Sequence, residues 1–320
     1  MMRISAIVSA LILAGCGANG PSSTQACGDL AKARCARYAA CSNGSYVTRT
    51  YGDMSTCITR EALSCTLGEA APQTGGSPAA AEQCAAALAT QSCADLFANN
   101  PPAECVNKGL RGVGITCAFA GQCASTYCLN ARTSLCGTCG DAPPSGISCA
   151  HEQCARGEIC TARTMTCQKP VQLGEPCDNT TLLCAADLGC LIPSGASTGT
   201  CTSTVATVGA PCGPMVGSCD GTLGLTCSNR KCVTISYAGD GTACGNFTVG
   251  GFGSCGAGGN CYTASGIAQV GEMGVCKAAA ADGKPCDITL GPPCLTPARC
   301  NVTGGGSAGI CTLPSGSACG

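Results

Sequence analysis

Apolar and polar positions alternate in three different ways along the 320 residues. Residues 4–13 form an apolar run broken only by small side chains, behind Arg3 and ahead of Leu13-Ala14-Gly15-Cys16. Ten residues make a helix of about 15 Å, half the hydrocarbon thickness of a bilayer, so the run is too short for a membrane span. Its length suits the apolar core of a secretory signal. Residues 27–105 are rich in Ala and other helix formers. The pattern predicts one helix over 29–40 and a second over 56–65. A third opens at Ser77-Pro78, a good cap and first-turn pair. A short fourth follows Ser92 and is stopped by Asn99-Asn100-Pro101-Pro102. From residue 106 helical patterning ends. Isolated Val, Ile and Thr between glycines predict short β-hairpins.

The cysteines organise these segments. Residues 27–105 hold Cys27, Cys35, Cys41, Cys57, Cys65, Cys84, Cys93 and Cys105. The first two are eight apart, as are Cys57 and Cys65. Eight residues is a little over two turns, so each pair falls near one helix face. Two such helices can be clamped antiparallel, for example Cys27 with Cys65 and Cys35 with Cys57. Eight cysteines allow 105 connectivities.

Beyond residue 106 a unit opening Gly-x-x-Cys recurs with its cysteine at 117, 149, 177, 212, 244, 286 and 319. Most units hold four cysteines, and the last stops just after it starts. Either Cys319 closes the preceding unit or the natural chain runs on; closure is the favoured reading. The organisation read from the sequence is a signal peptide over 1–15, Cys16 and a small-residue tether over 16–26, a helical module over 27–105, a first cysteine-rich region over 106–168, and further four-cysteine repeats over 169–320, the last one incomplete.

Composition sharpens this. There are 35 cysteines, about 11% of the chain, which marks a disulfide scaffold. Leu, Ile, Val and Phe together number 49, too few for a conventional single core of this size. Cross-linked small modules are what remain. The net charge is −1, with no basic run, so no nucleic-acid partner is expected.

Leu13-Ala14-Gly15-Cys16 resembles the bacterial lipobox. The resemblance implies cleavage before Cys16, a diacylglyceryl group on its thiol, and anchoring of the protein in the membrane. Gly17 rather than Asp follows, which in such proteins implies the outer membrane or cell surface. Setting Cys16 aside leaves 34 cysteines, an even number. Several acyl chains on one residue anchor stably, where one alone binds marginally.

Cys117, Cys123, Cys128 behind Tyr127, Cys136-x-x-Cys139, Cys149, Cys154, Cys160 and Cys167 resemble the Dickkopf N-terminal cysteine-rich domain. That family has ten cysteines with an adjacent pair, where this chain has Gln153-Cys154. The resemblance therefore implies one thiol paired outside the block, with Cys105 a candidate. It also implies an extracellular, non-enzymatic domain. With the anchor and the helical module, the whole looks like surface lipoproteins of myxobacteria.

Chemistry is sparse. His151 is the only histidine, and its neighbour Cys154 belongs to the repeat frame, so it is expected to be oxidised and no nucleophile. Cys136-Gly-Thr-Cys139 is the only CxxC. Zinc would want a second, and a redox pair would want a thioredoxin-like setting. No catalytic residue, metal or cofactor is therefore expected. The expected fold class is small and disulfide-rich: a helical, cysteine-bridged module followed by tandem short β-hairpin repeats, elongated into a rod with each repeat touching mainly its neighbours. The expected function is a non-enzymatic, membrane-anchored surface lipoprotein with a structural, adhesive or partner-binding role, its partner an extracellular protein or matrix. The alternative is a protease-inhibitor or toxin-like module.

Overall fold

The computed structural model describes residues 20–131, 134–149, 154–161, 164–178, 180–213, 215–247, 251–268 and 272–320. Cys16, the proposed signal peptide and His151 lie outside the described residues.

Five α-helices occupy the first part: α1 Ser23–Ser42, α2 Ser45–Tyr51, α3 Met54–Glu69, α4 Pro78–Leu88 and α5 Cys93–Phe97, with a 3-10 turn at Ala103–Cys105. Small polar residues start four of them. The side chains of Ser22, Asp53, Ser77 and Ser92 accept from the backbone N–H three residues on, at 2.7 to 3.2 Å, filling donors that a helix leaves open. Asn43 and Gly44, both left-handed, turn α1 into α2. The sequence pattern did not anticipate α2, a seven-residue helix between glycines that carries Val47, Thr48 and Thr50. It buries Val47 and Tyr51 against Cys35 and Cys57.

Helix α1 packs against both α3 and α4. Its bridges run Cys27–Cys65 and Cys35–Cys57, the antiparallel clamp expected from the equal spacing. Cys41–Cys93 and Cys84–Cys105 complete the module. The core is small: Ala26, Leu30, Ala81, Cys84 and Leu88 form one cluster. Alanine at these contacts lets the helices approach closely, and the bridges supply what so little apolar area does not.

Six repeats follow, all wired alike. In each, once the extra Cys136 of the first is set aside, the first cysteine bonds the third and the second bonds the fourth: 117–128 and 123–139, 149–160 and 154–167, 177–190 and 184–201, 212–227 and 219–232, 244–261 and 255–276, 286–300 and 294–311. The Cα separations are 5.8 to 5.9 Å for the first kind. They are 5.2 to 5.6 Å for the second. The third and fourth cysteines face one another across an antiparallel hairpin without bonding to each other.

The Gly-x-x-Cys signature has a backbone explanation. Gly114, Gly146, Gly174, Gly209, Gly241 and Gly283 have φ between 74° and 85°. Each is the third residue of a β-turn closed by an i to i+3 hydrogen bond, as Glu175 N–H to Gln172 carbonyl at 3.1 Å. A positive φ at that place defines a type II turn, which wants glycine. Each of these glycines then donates to the carbonyl of the repeat's fourth cysteine at 2.7 to 2.9 Å, and that cysteine's N–H returns a bond to the residue after the glycine. The turn thereby lays the first cysteine's strand against the fourth's.

Three expectations are corrected. Cys105 pairs with Cys84 inside the helical module, so it is not the outside partner of residues 117–167. That partner belongs to Cys136, which bonds Cys319 across 183 residues. Cys319 neither closes the sixth repeat nor opens a seventh. Gly316 lacks the positive φ of the six turn glycines; it lacks a side chain because a Cβ there would meet Ala71 at 2.4 Å. The expectation that each repeat touches mainly its neighbours misses a long-range link, because the chain's last residues are bonded to its first repeat. The fold class itself stands: small, disulfide-rich, helices followed by short antiparallel strand pairs.

Candidate functional site

Every cysteine of the expected disulfide frame is in a bridge: Cys27, Cys35, Cys41, Cys57, Cys65, Cys84, Cys93 and Cys105 within the helical module, and Cys117, Cys123, Cys128, Cys139, Cys149, Cys154, Cys160 and Cys167 within two separate repeats. Cys136 alone reaches out of its repeat. Seventeen bridges thus consume all 34 described cysteines. Several cysteine triplets hold three sulfurs within 4.8 Å, a spacing that could suggest a metal. These sulfurs belong to the two bridges stacked in each repeat, and a bridged sulfur offers no thiolate.

The helical module is a hub on which five of the six repeats are seated by hydrogen bonds among the described residues. Gln122 of the first repeat is fully buried: its Oε1 accepts from Ala118 and Phe119, and its Nε2 donates to the Pro72 carbonyl at 3.0 Å. Gly157 of the second donates to the Ala98 carbonyl at 3.1 Å, at the end of α5. Ser45, at the start of α2, donates to the Thr222 carbonyl of the fourth at 2.8 Å. Ala257 and Gly258 of the fifth donate to Thr48 and Arg49 at 3.0 and 2.8 Å. Arg60 of α3 grips Asp282 of the sixth with two bonds of 2.8 and 2.7 Å, and also donates to the Leu295 and Thr296 carbonyls.

Two more arginines fasten the closure beside Cys136–Cys319. Buried Arg111 donates to the carbonyls of Thr116, Cys319 and Gly320. Arg299 of the sixth repeat donates to Ser134, Leu135 and Ala118 carbonyls of the first, at 3.2, 3.0 and 2.9 Å. Guanidinium forks suit such clusters of carbonyls. Nothing in the local sequence marked these three arginines; their partners lie 164 to 236 residues away, apart from the neighbouring Thr116.

Inside the hub, Arg34 pairs with Glu61 at 2.7 Å, and the Tyr51 hydroxyl donates to the same carboxylate at 2.5 Å. Tyr38 stacks on Tyr46 with ring centroids 4.4 Å apart. Burial, then the Glu61 charge, raises the Tyr51 phenol far above its ordinary range; burial does the same for Tyr38. These phenols stay protonated and serve as donors and packing. Half-open cavities remain among the described residues, two of them against the hub and the first three repeats. One, of about 320 Å³, lies between α1, the end of α3 and the first repeat, lined by Leu30, Glu69, Asn107 and Phe119. The other, of about 490 Å³, lies between α5 and the second and third repeats, lined by Asp95, Asn100, Lys169 and Gln172. Asp95 is committed to the cap of α5: bonds from Ser92 and Asn100 hold its carboxyl below the usual carboxylate range.

Comparison with family models, with curated proteins and with solved structures found no match. The class the fold defines is an extracellular type of disulfide-rich module, since bridges at this density form in oxidising compartments. Among the described residues no helix is long and apolar enough to cross a membrane.

Proposed function

We propose that this chain is a lipid-anchored, non-enzymatic surface protein of a bacterial cell envelope, held to the membrane through Cys16 and carrying Dickkopf-like repeats for a structural, adhesive or partner-binding role. The observation that carries this reading is the pairing itself. All 34 other cysteines have partners within the chain, so Cys16 is left with none, at the one position where a lipobox would put an acylated thiol. A secreted chain with an odd cysteine otherwise exposes a reactive thiol. The non-enzymatic part rests on the same chemistry, because bridged sulfurs are not nucleophiles. The test is fractionation of cells producing the full chain and Cys16→Ser. The reading expects wild type in the membrane fraction with an acyl mass increment, and the variant released. Retention of Cys16→Ser in membranes at the wild-type level overturns it.

A further inference from the structure

The anchor, if it is at Cys16, fixes which end of the molecule meets the bilayer. Helix α1 begins at Ser23, and residues 20–22 are exposed. From Cys16 to Ser22 is six residues, at most about 20–22 Å of chain. The start of α1 is therefore held close to the lipid.

What lies there can be followed through contacts. The Ser23 hydroxyl donates to Glu69, the last residue of α3. Gly76 rests against Glu69, and Gly75 against Lys108. The Gln73 carbonyl accepts from the N–H of Leu110 at 2.9 Å. Residues 108–115 thus sit at the same pole as the start of α1. In this stretch Arg111 is turned inward, with 2% of its surface exposed, and its neighbour Leu110 is turned outward, with 79% exposed. Val113, at the tip of the first repeat's type II turn, is 67% exposed, and Ile115 is 50% exposed. Three large apolar side chains within six residues face solvent. Lys108 is exposed, and no Asp or Glu occurs between residues 105 and 140, the nearest before it in sequence being Glu104. The apolar group beside an exposed lysine suits an interface of acyl chains and anionic headgroups.

We propose that Leu110, Val113 and Ile115 form an apolar foot that enters the bilayer interface beside the lipidated cysteine, so that the protein stands on the membrane in one orientation instead of swinging on its tether. This rests on the lipoprotein reading above.

The chain has no tryptophan, so one introduced indole reports its own surroundings. The acylated full chain carrying L110W, V113W or V208W is bound to phosphatidylethanolamine–phosphatidylglycerol vesicles with or without brominated acyl chains. Val208 occupies the matching turn of the fourth repeat and is 61% exposed. That repeat is seated at the far end of α1, about 30 Å away. Bromination is expected to quench L110W and V113W at least twofold and to leave V208W unchanged. Equal signals at the three positions overturn the foot. In the unsubstituted protein, amide exchange over 108–116 should slow at least fivefold on vesicles, and an unchanged rate also overturns it. Flotation separates the two readings. Cys16→Ser floating as well as wild type sinks the anchor, whereas wild type floating without quenching sinks the foot alone. Self-association of Cys16→Ser in solution that L110D abolishes would assign the patch to a second copy, and would overturn the lipid occupant.

Discussion

Six glycines show how a single backbone angle sets the repeat. Gly174 has φ of 82° and no heavy atom within 4 Å of where a Cβ would sit. Space does not demand glycine there; the angle does. Gly174→Ala should therefore cost about 1–2 kcal/mol, the left-handed penalty for an L-residue. Gly174→Asn should cost less, because Asn tolerates that region. Denaturant melts of the oxidised proteins check the order. Gly316 looks the same in sequence yet has a different cause, contact with Ala71, so Gly316→Asn should be as harmful as Gly316→Ala. The glycine signature was legible because it recurs; the false seventh copy was not distinguishable, because contact with a residue 245 positions earlier leaves no local trace.

A second residue-scale consequence concerns acid. The Arg60 hydrogen bond and charge hold the Asp282 carboxyl below its usual range. A depressed carboxylate stabilises the fold fully above the ordinary value near 3.9, and that contribution fades as pH falls through the lower folded value. The seat of the sixth repeat on α3 should loosen below about pH 4. Protection of the amides over 295–299, taken relative to the intrinsic exchange rate at each pH, should fall there in wild type, and Asp282→Asn should show the lowered protection already at pH 7.

At the level of elements, the two bridges of a repeat are near neighbours that close short loops. Cys177–Cys190 spans 13 residues. Replacing both with serine should remove about 3 kcal/mol in the chain-entropy model. Because each hairpin is closed by its own hydrogen bonds, the loss should be confined to residues 174–203, read by peptide-level hydrogen exchange. The helical clamp was legible for the same reason as the repeat: equal spacing on two helices leaves an antiparallel pairing with both bridges in register. Helix α2 was not. Its seven residues are too few to show a period, and its stability comes from burying Val47 and Tyr51 against α1 and α3 rather than from its own propensity.

The whole molecule was the least legible scale. A string of cross-linked units reads as a rod when each unit is considered alone. The hub contacts at Pro72, Ala98, Ser45, Thr48 and Arg60, and the clasp of Arg111, Arg299 and Cys136–Cys319, are all long-range, and single polar side chains, backbone amides or one bridge carry them. Cys136→Ser with Cys319→Ser should keep all six repeats folded, since no repeat uses this bridge. Non-covalent contacts, the two arginines and the Thr116 hydroxyl on Cys319 among them, would then hold the closure, so the radius of gyration by X-ray scattering should grow on adding salt or mild denaturant at concentrations that leave wild type unchanged.

The same bridge also makes the segment from residue 136 to residue 319 a covalent circle. A peptidase that cuts one bond anywhere in that circle turns it into a line whose two new ends still belong to one molecule. Its mass rises by one water, and nothing is shed. A protein standing on the outside of a cell could be nicked repeatedly by its neighbours' enzymes and lose no fragment until a second cut falls between bridges or a reductant arrives.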